Sequence, residues 1–117
     1  MNFEINYQDS FLIIRLSGPV GSNERLLSKK PLLSPLQPSY RKIIVDLSDL
    51  KKGETVYCLG VLYSLKKEIQ LMKGEMRICS LKPEASRYFR ENRLDQTFNI
   101  QASIEAAKSS FFEKNND

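Results

Sequence analysis

Hydrophobic and polar positions along this chain change their spacing several times, and each change marks an element. Phe3, Ile5 and Tyr7 alternate with polar residues, which predicts a half-buried strand. After a polar turn at Gln8-Asp9-Ser10, the run Phe11-Leu12-Ile13-Ile14-Arg15-Leu16 predicts a second strand, ended by Gly18-Pro19. Residues 1–17 therefore read as an N-terminal hairpin. Ser22-Asn23-Glu24 offers a cap for a helix through Arg25-Leu26-Leu27, but Pro31, Pro35 and Pro38 follow closely. Proline removes a helix hydrogen bond and clashes with the preceding turn, so this helix is predicted to be short, kinked or broken at Lys30.

The most regular stretch runs from Arg41 to Gly74. Lys42-Ile43-Ile44-Val45-Asp46-Leu47 is a β-branched run with charge only at its edges, the pattern of a central strand buried on both faces. Cys58, Val61, Leu62, Leu65, Ile69 and Met72 then recur at spacings of three and four, which predicts a helix of about five turns stopping at Gly74. Gly60 inside that helix costs roughly 1 kcal/mol relative to alanine, so it reads either as a site where another segment packs closely or as a glycine that is simply tolerated. Between strand and helix, Ser48 to Thr55 reads as a polar loop with Lys51, Lys52 and Gly53, and with Glu54-Thr55 at the mouth of the helix. A switch or binding site is expected there.

Alternation returns in Glu75-Met76-Arg77-Ile78-Cys79-Ser80-Leu81, predicting a strand parallel to the central one and joined to it by a right-handed crossover. Pro83 opens a further helix where a missing N–H costs nothing, with Ala85, Tyr88 and Phe89 inward and Leu94 closing it. Thr97 to Ile100 reads as a short edge strand. Ser103 caps a last helix presenting Ile104, Ala107 and Phe111, and Glu113 to Asp117 is expected to fray. The fold class is α/β: one domain over residues 1–117, with a four- to five-stranded mixed sheet and helices mainly on one face.

Composition narrows the chemistry. A chain of 117 residues can bury one core without staples. Cys58 and Cys79 fall where the pattern wants apolar residues, so both are expected as buried free thiols. With no histidine and no close cysteine pair, a zinc site or a histidine-based dyad is excluded, and no cofactor is expected. Asp46 or Glu54 as a lone general base, without a second acid, does not make an enzyme. The first residues carry no basic leader, and no run approaches the roughly 20 apolar residues of a membrane span, so a cytoplasmic location is expected. The net charge of +4 is scattered: Arg87, Arg90 and Arg93 are interleaved with Glu84 and Glu91, as on a solvated helix face, and no nucleic-acid partner is expected.

Glu54-Thr55 carries the specific hypothesis. A hydroxyl in a first helical turn is a cap candidate, and an exposed one can be phosphorylated, gaining a charge of about −1.5 to −2. The helix terminus tolerates that charge, whereas a partner packed on the loop does not. The same passage resembles the core of a STAS domain, the family of bacterial anti-sigma-factor antagonists, in which an Asp-Leu-Ser strand end leads to an Asp-Ser pair opening the second helix. Here Asp46-Leu47-Ser48 is followed by Glu54-Thr55. Arg93 to Phe98 and then Ser103 to Ala107 are similar to the family's closing turn, strand and Glu/Ala-rich helix. Tyr57-Cys58 departs from it, standing where the family has a glycine and a small apolar residue.

The resemblance implies a regulatory protein-binding module, phosphorylated at Thr55. It also implies that Lys51, Lys52, Gly53, Glu54, Thr55, Val56 and Tyr57 meet an anti-sigma factor of serine/threonine kinase type, with a phosphatase to reset the switch. A non-phosphorylated scaffold or transporter-associated subunit is the alternative within the same fold.

Overall fold

The computed structural model describes residues 2–18 and 41–113; the expected proline-rich first helix and the tail after Glu113 lie outside the described residues. Strands β1 (Asn2–Gln8) and β2 (Phe11–Ser17) form the expected hairpin, with Phe3 opposite Leu16 and Tyr7 opposite Leu12. Asp9 makes its turn at φ 56°, a left-handed conformation that aspartate tolerates better than most residues. The hairpin forms one side of the sheet, with β1 at its edge. β2 continues into the sheet, parallel to β3 (Lys42–Asp49), which is parallel to β4 (Glu75–Cys79) and through it to β5 (Ile100–Gln101), giving the order β1-β2-β3-β4-β5.

Alternation along the strands separates two faces. Leu12, Ile14, Leu16, Ile43, Val45, Leu47 and Ile78 point to the side covered by helices α1 (Lys52–Tyr57), α2 (Leu59–Leu71) and α3 (Pro83–Glu91), where they meet Cys58, Leu62, Leu65, Ile69 and Phe89. A single turn, α4 (Leu94–Thr97), leads to Phe98 in the same cluster. Phe11, Ile13, Ile44 and Cys79 point the other way, onto Ala107 and Phe111 of α5 (Ile104–Glu113). Helices thus lie mainly on one face, with α5 alone among the described helices on the other. Arg77 ties α5 down: it is buried, donates from Nε to Ser110 Oγ at 2.8 Å, and lies 4.2 Å over the Phe111 ring.

Several boundaries differ from the sequence expectation. The predicted five-turn helix is two helices, because Cys58 sits at φ −85°, ψ 1° between α1 and α2, and its N–H is shared by the carbonyls of Glu54 and Thr55. Gly60 has no neighbour among the described residues within 4 Å of where a Cβ would stand, so it is a tolerated glycine and not a close-packing site for any of them. The left-handed residue after α2 is Lys73, at φ 62°, and Gly74 follows because a Cβ there would come within 2.9 Å of the Arg41 carbonyl. Arg93, at φ 58°, ends the third-helix region earlier than Leu94, and Thr97 belongs to α4 instead of the last strand. Pro83 opens α3 and Ser103 Oγ accepts from Ala106 N–H at 3.1 Å, as their positions predict.

Both cysteines are buried thiols outside any disulfide. Burial pushes the Cys79 thiol up from the ordinary 9.0 to about 11. Between these values the unfolded chain has lost that proton and the folded chain keeps it, so stability falls as pH rises through the window. Denaturant titrations at stepped pH should show this slope in the wild type and lose it in Cys79→Ala; equal slopes would place Cys79 in a wetter site.

Candidate functional site

The site expected between β3 and the following helix lies outside the carboxyl ends of the parallel strands, where open α/β sheets commonly present their binding surfaces. It is shorter than the sequence suggests. β3 runs on to Asp49, α1 begins at Lys52, and Leu50 between them is fully buried, so the polar loop is reduced to a tight corner. Leu50 N–H closes that corner on the Leu47 carbonyl at 3.1 Å.

Asp46 fixes the base of the corner. It is only 2% exposed; its Oδ1 accepts from Ser48 N–H at 2.9 Å and its Oδ2 from Arg15 Nε at 3.2 Å. The hydrogen bond and charge of Asp46 raise the Arg15 pKa, holding the guanidinium protonated. Lys82 Nζ, reaching over from the start of α3, donates to the Ser48 carbonyl at 2.6 Å. Both Asp46 oxygens and the Ser48 backbone are thus engaged in holding the corner together.

Glu54 is the cap. Lys51 stands at the N-cap of α1, and its N–H donates to Glu54 Oε1 at 2.9 Å, half of a capping box supplied from the third helical position. The carboxylate is lodged against the end of β2: a Cβ on Gly18 would lie 2.2 Å from Glu54 Oε2. A side chain at position 18 would push that carboxylate aside.

Thr55 is placed differently from its sequence expectation. It neither caps α1 nor faces solvent. Its N–H completes the first helical bond to the Lys51 carbonyl at 2.9 Å, its side chain is 0% exposed, and its Oγ1 has no hydrogen-bond partner among the described residues. Thr55 shares a helix face with Cys58, three residues on, and both are turned to the core, while Lys51, Lys52 and Gly53 are exposed. Val56 is half-buried and Tyr57 is 65% exposed at the far end of the same short helix. Lys52 Nζ lies 5.8 Å over the Tyr88 ring, so α1 packs against α3 as well as α2. The seven candidate residues are thus brought together on one element, with Thr55 beneath the surface that the others form.

This geometry now meets what is known of similar proteins. The pattern of the STAS domain matches residues 2–107. The chain belongs to the STAS domain family. Among curated proteins, BtrV of Bordetella bronchiseptica, named as an anti-sigma factor antagonist, is 26% identical over 111 residues, covering 95% of each chain. Two solved structures share the fold: the protein TM1081, at a TM-score of 0.75 and 23% identity over 93% of this chain and 87% of that one, and a variant of Moorella thermoacetica RsbS, at 0.74 and 12% identity over the whole of both. The five-stranded mixed sheet and its helices are the STAS architecture.

Three participants were not legible as such in the sequence of this STAS chain: Gly18, Arg15 and Lys82. Each reaches the corner from a distant segment, and the only sequence signal was the glycine that ends the second predicted strand. No helix of the described residues is long and apolar enough to cross a membrane.

Proposed function

We propose that this STAS chain is a regulatory protein-binding module of the anti-sigma-factor-antagonist type, docking an anti-sigma factor of serine/threonine kinase type across Lys51, Lys52, Gly53, Glu54, Val56 and Tyr57. The observation that carries the reading is Tyr57: a large aromatic left 65% exposed at the end of the short helix whose start carries the outward Lys51 and Lys52. Buried tyrosines are frequent energetic anchors of interfaces, and an exposed one beside cations is poised to become one. The likeness to BtrV supports this partner class. Asp46 and Glu54 hold backbone and ion-pair roles, which supports a module without its own turnover.

Regulation is by phosphoryl transfer to Thr55. The Thr55 oxygen bonds to the γ-phosphorus of ATP, the bond to ADP breaks, and the hydroxyl proton passes to a base of the kinase. A phosphate there is left desolvated against the docked partner, and a buried charge without its own pair typically costs several kcal/mol. At about 1.4 kcal/mol per tenfold, the complex weakens a hundredfold or more, until a phosphatase removes the group. The burial of Thr55 favours a second reading, a non-phosphorylated scaffold or transporter-associated subunit that docks through the same surface.

Titrating a kinase-type anti-sigma factor from the same genome with wild type, Tyr57→Ala and kinase-treated protein decides between them. Tyr57→Ala should weaken binding about tenfold or more. Treated protein should carry one phosphate at Thr55 by mass spectrometry and lose binding. Tight binding with no phosphate uptake supports the scaffold, and no binding at all rejects the antagonist.

A further inference from the structure

A kinase acts on a hydroxyl that its active site can surround, and Thr55 Oγ1 is sealed from solvent. Access therefore requires some part of the protein to move, and the structure singles out α1. Its six residues are too few to hold a helix in water, so it persists only by packing and capping. It is bounded by two buried anchors, Leu50 before it and Cys58 after it, and at Cys58 the helical path breaks. Its N-terminal end is held by the Lys51 N–H to Glu54 contact, a carboxylate kept in place against Gly18. By contrast α2 buries Leu62, Leu65 and Ile69 in the main core cluster, and β3 is covered on both faces.

The Thr55 hydroxyl itself works against closure. Among the described residues its Oγ1 has no hydrogen-bond partner; such a buried group is penalised relative to the same group in water, and lifting α1 restores its hydrogen bonds. We propose that residues 51–57 open as one unit between Leu50 and Cys58, while the sheet and α2 stay folded, and that Thr55 is reached only in this open state. The inference rests on the reading of Thr55 as the regulated residue, and it deepens it: the kinase acts on an opened segment, so whatever holds α1 down also sets the rate of phosphorylation.

Hydrogen exchange of the full-length protein, followed by mass spectrometry, tests the opening without any partner. Amides of Thr55, Val56 and Tyr57 should exchange through an event insensitive to low denaturant, whereas those of Ile43 to Leu47 should exchange only with global unfolding. Cys58 is a built-in reporter at the hinge and should be alkylated in native buffer well before Cys79. Thr55→Val keeps the shape and removes the unpaired hydroxyl, so it should slow exchange in α1 and labelling of Cys58 by roughly five- to a hundredfold. Gly18→Ala displaces the Glu54 carboxylate and should speed both, together with phosphate uptake at Thr55. The proposal is overturned if α1 amides share the denaturant dependence of β3, or if Thr55→Val leaves their exchange unchanged. If α1 opens as described and Thr55 takes up no phosphate, the opening stands and the phosphorylation reading fails.

Discussion

Val45→Asp is expected to unfold the protein. Val45 has no exposed surface, stands between Ile14 on β2 and Ile78 on β4, and points into the main cluster beneath α2. An aspartate there has no cation within the cluster to pair with, since the nearest basic side chains of the sheet, Arg15 and Arg77, belong to the opposite face and hold Asp46 and Glu75. Taking an unpaired carboxylate out of water costs several kcal/mol, and a domain of this size is stable by only about 5–15 kcal/mol. Deleting the valine's packing adds to that cost. Thermal and urea unfolding followed by circular dichroism should show a loss of most of the transition, or a protein that no longer folds at room temperature. A melting temperature equal to that of the wild type would remove the five-stranded sheet as drawn.

Thr55→Glu should have the second largest effect, and a more local one. On the surface it would be a mild phosphate mimic. Buried, the glutamate must either protonate, carry an unpaired charge, or force α1 off the core. The last is the least costly route, because it detaches six residues and spares the sheet. Stability should therefore drop by about 2–4 kcal/mol, capped by the packing energy of α1 instead of the full cost of a buried ion. For a domain of this size each kcal/mol corresponds to several degrees of melting temperature. Thr55→Val should move the other way, by about 1 kcal/mol, since it relieves an unsatisfied hydroxyl at nearly constant volume. Wild-type stability in Thr55→Glu would mean that position 55 faces water, and with it the placement of α1 would have to change.

These two residues differ in how far the sequence announced them. Ile43, Val45 and Leu47 could be assigned to one core face from alternation alone, because side chains on a strand obey a period of two whatever lies nearby. The same local physics located the hairpin, the proline start of α3, the Ser103 cap and the apolar faces of α2 and α5, and it placed both cysteines inside. The order of Asp46-Leu47-Ser48, Glu54-Thr55 and the closing turn was enough to suggest the STAS family that the residues 2–107 match bears out.

What the sequence determined by itself, then, were the elements, their buried faces and the stretch that carries the site, since periodicity and capping depend on residues a few positions apart. The tertiary structure decided how that site is arranged. Whether Thr55 capped a helix or lay under it turned on which residue took the N-cap, and Lys51 took it because Glu54 could reach back while Gly18, thirty-six positions earlier, left room for the carboxylate. The break at Cys58 follows from α1 packing toward α3 while α2 packs along the sheet, a division of directions that an unbroken apolar spacing does not encode. Arg15 and Lys82 joined the corner for the same reason: hydrogen bonds across |i−j| of 31 and 34 are made by the folded chain and leave no pattern in the local sequence.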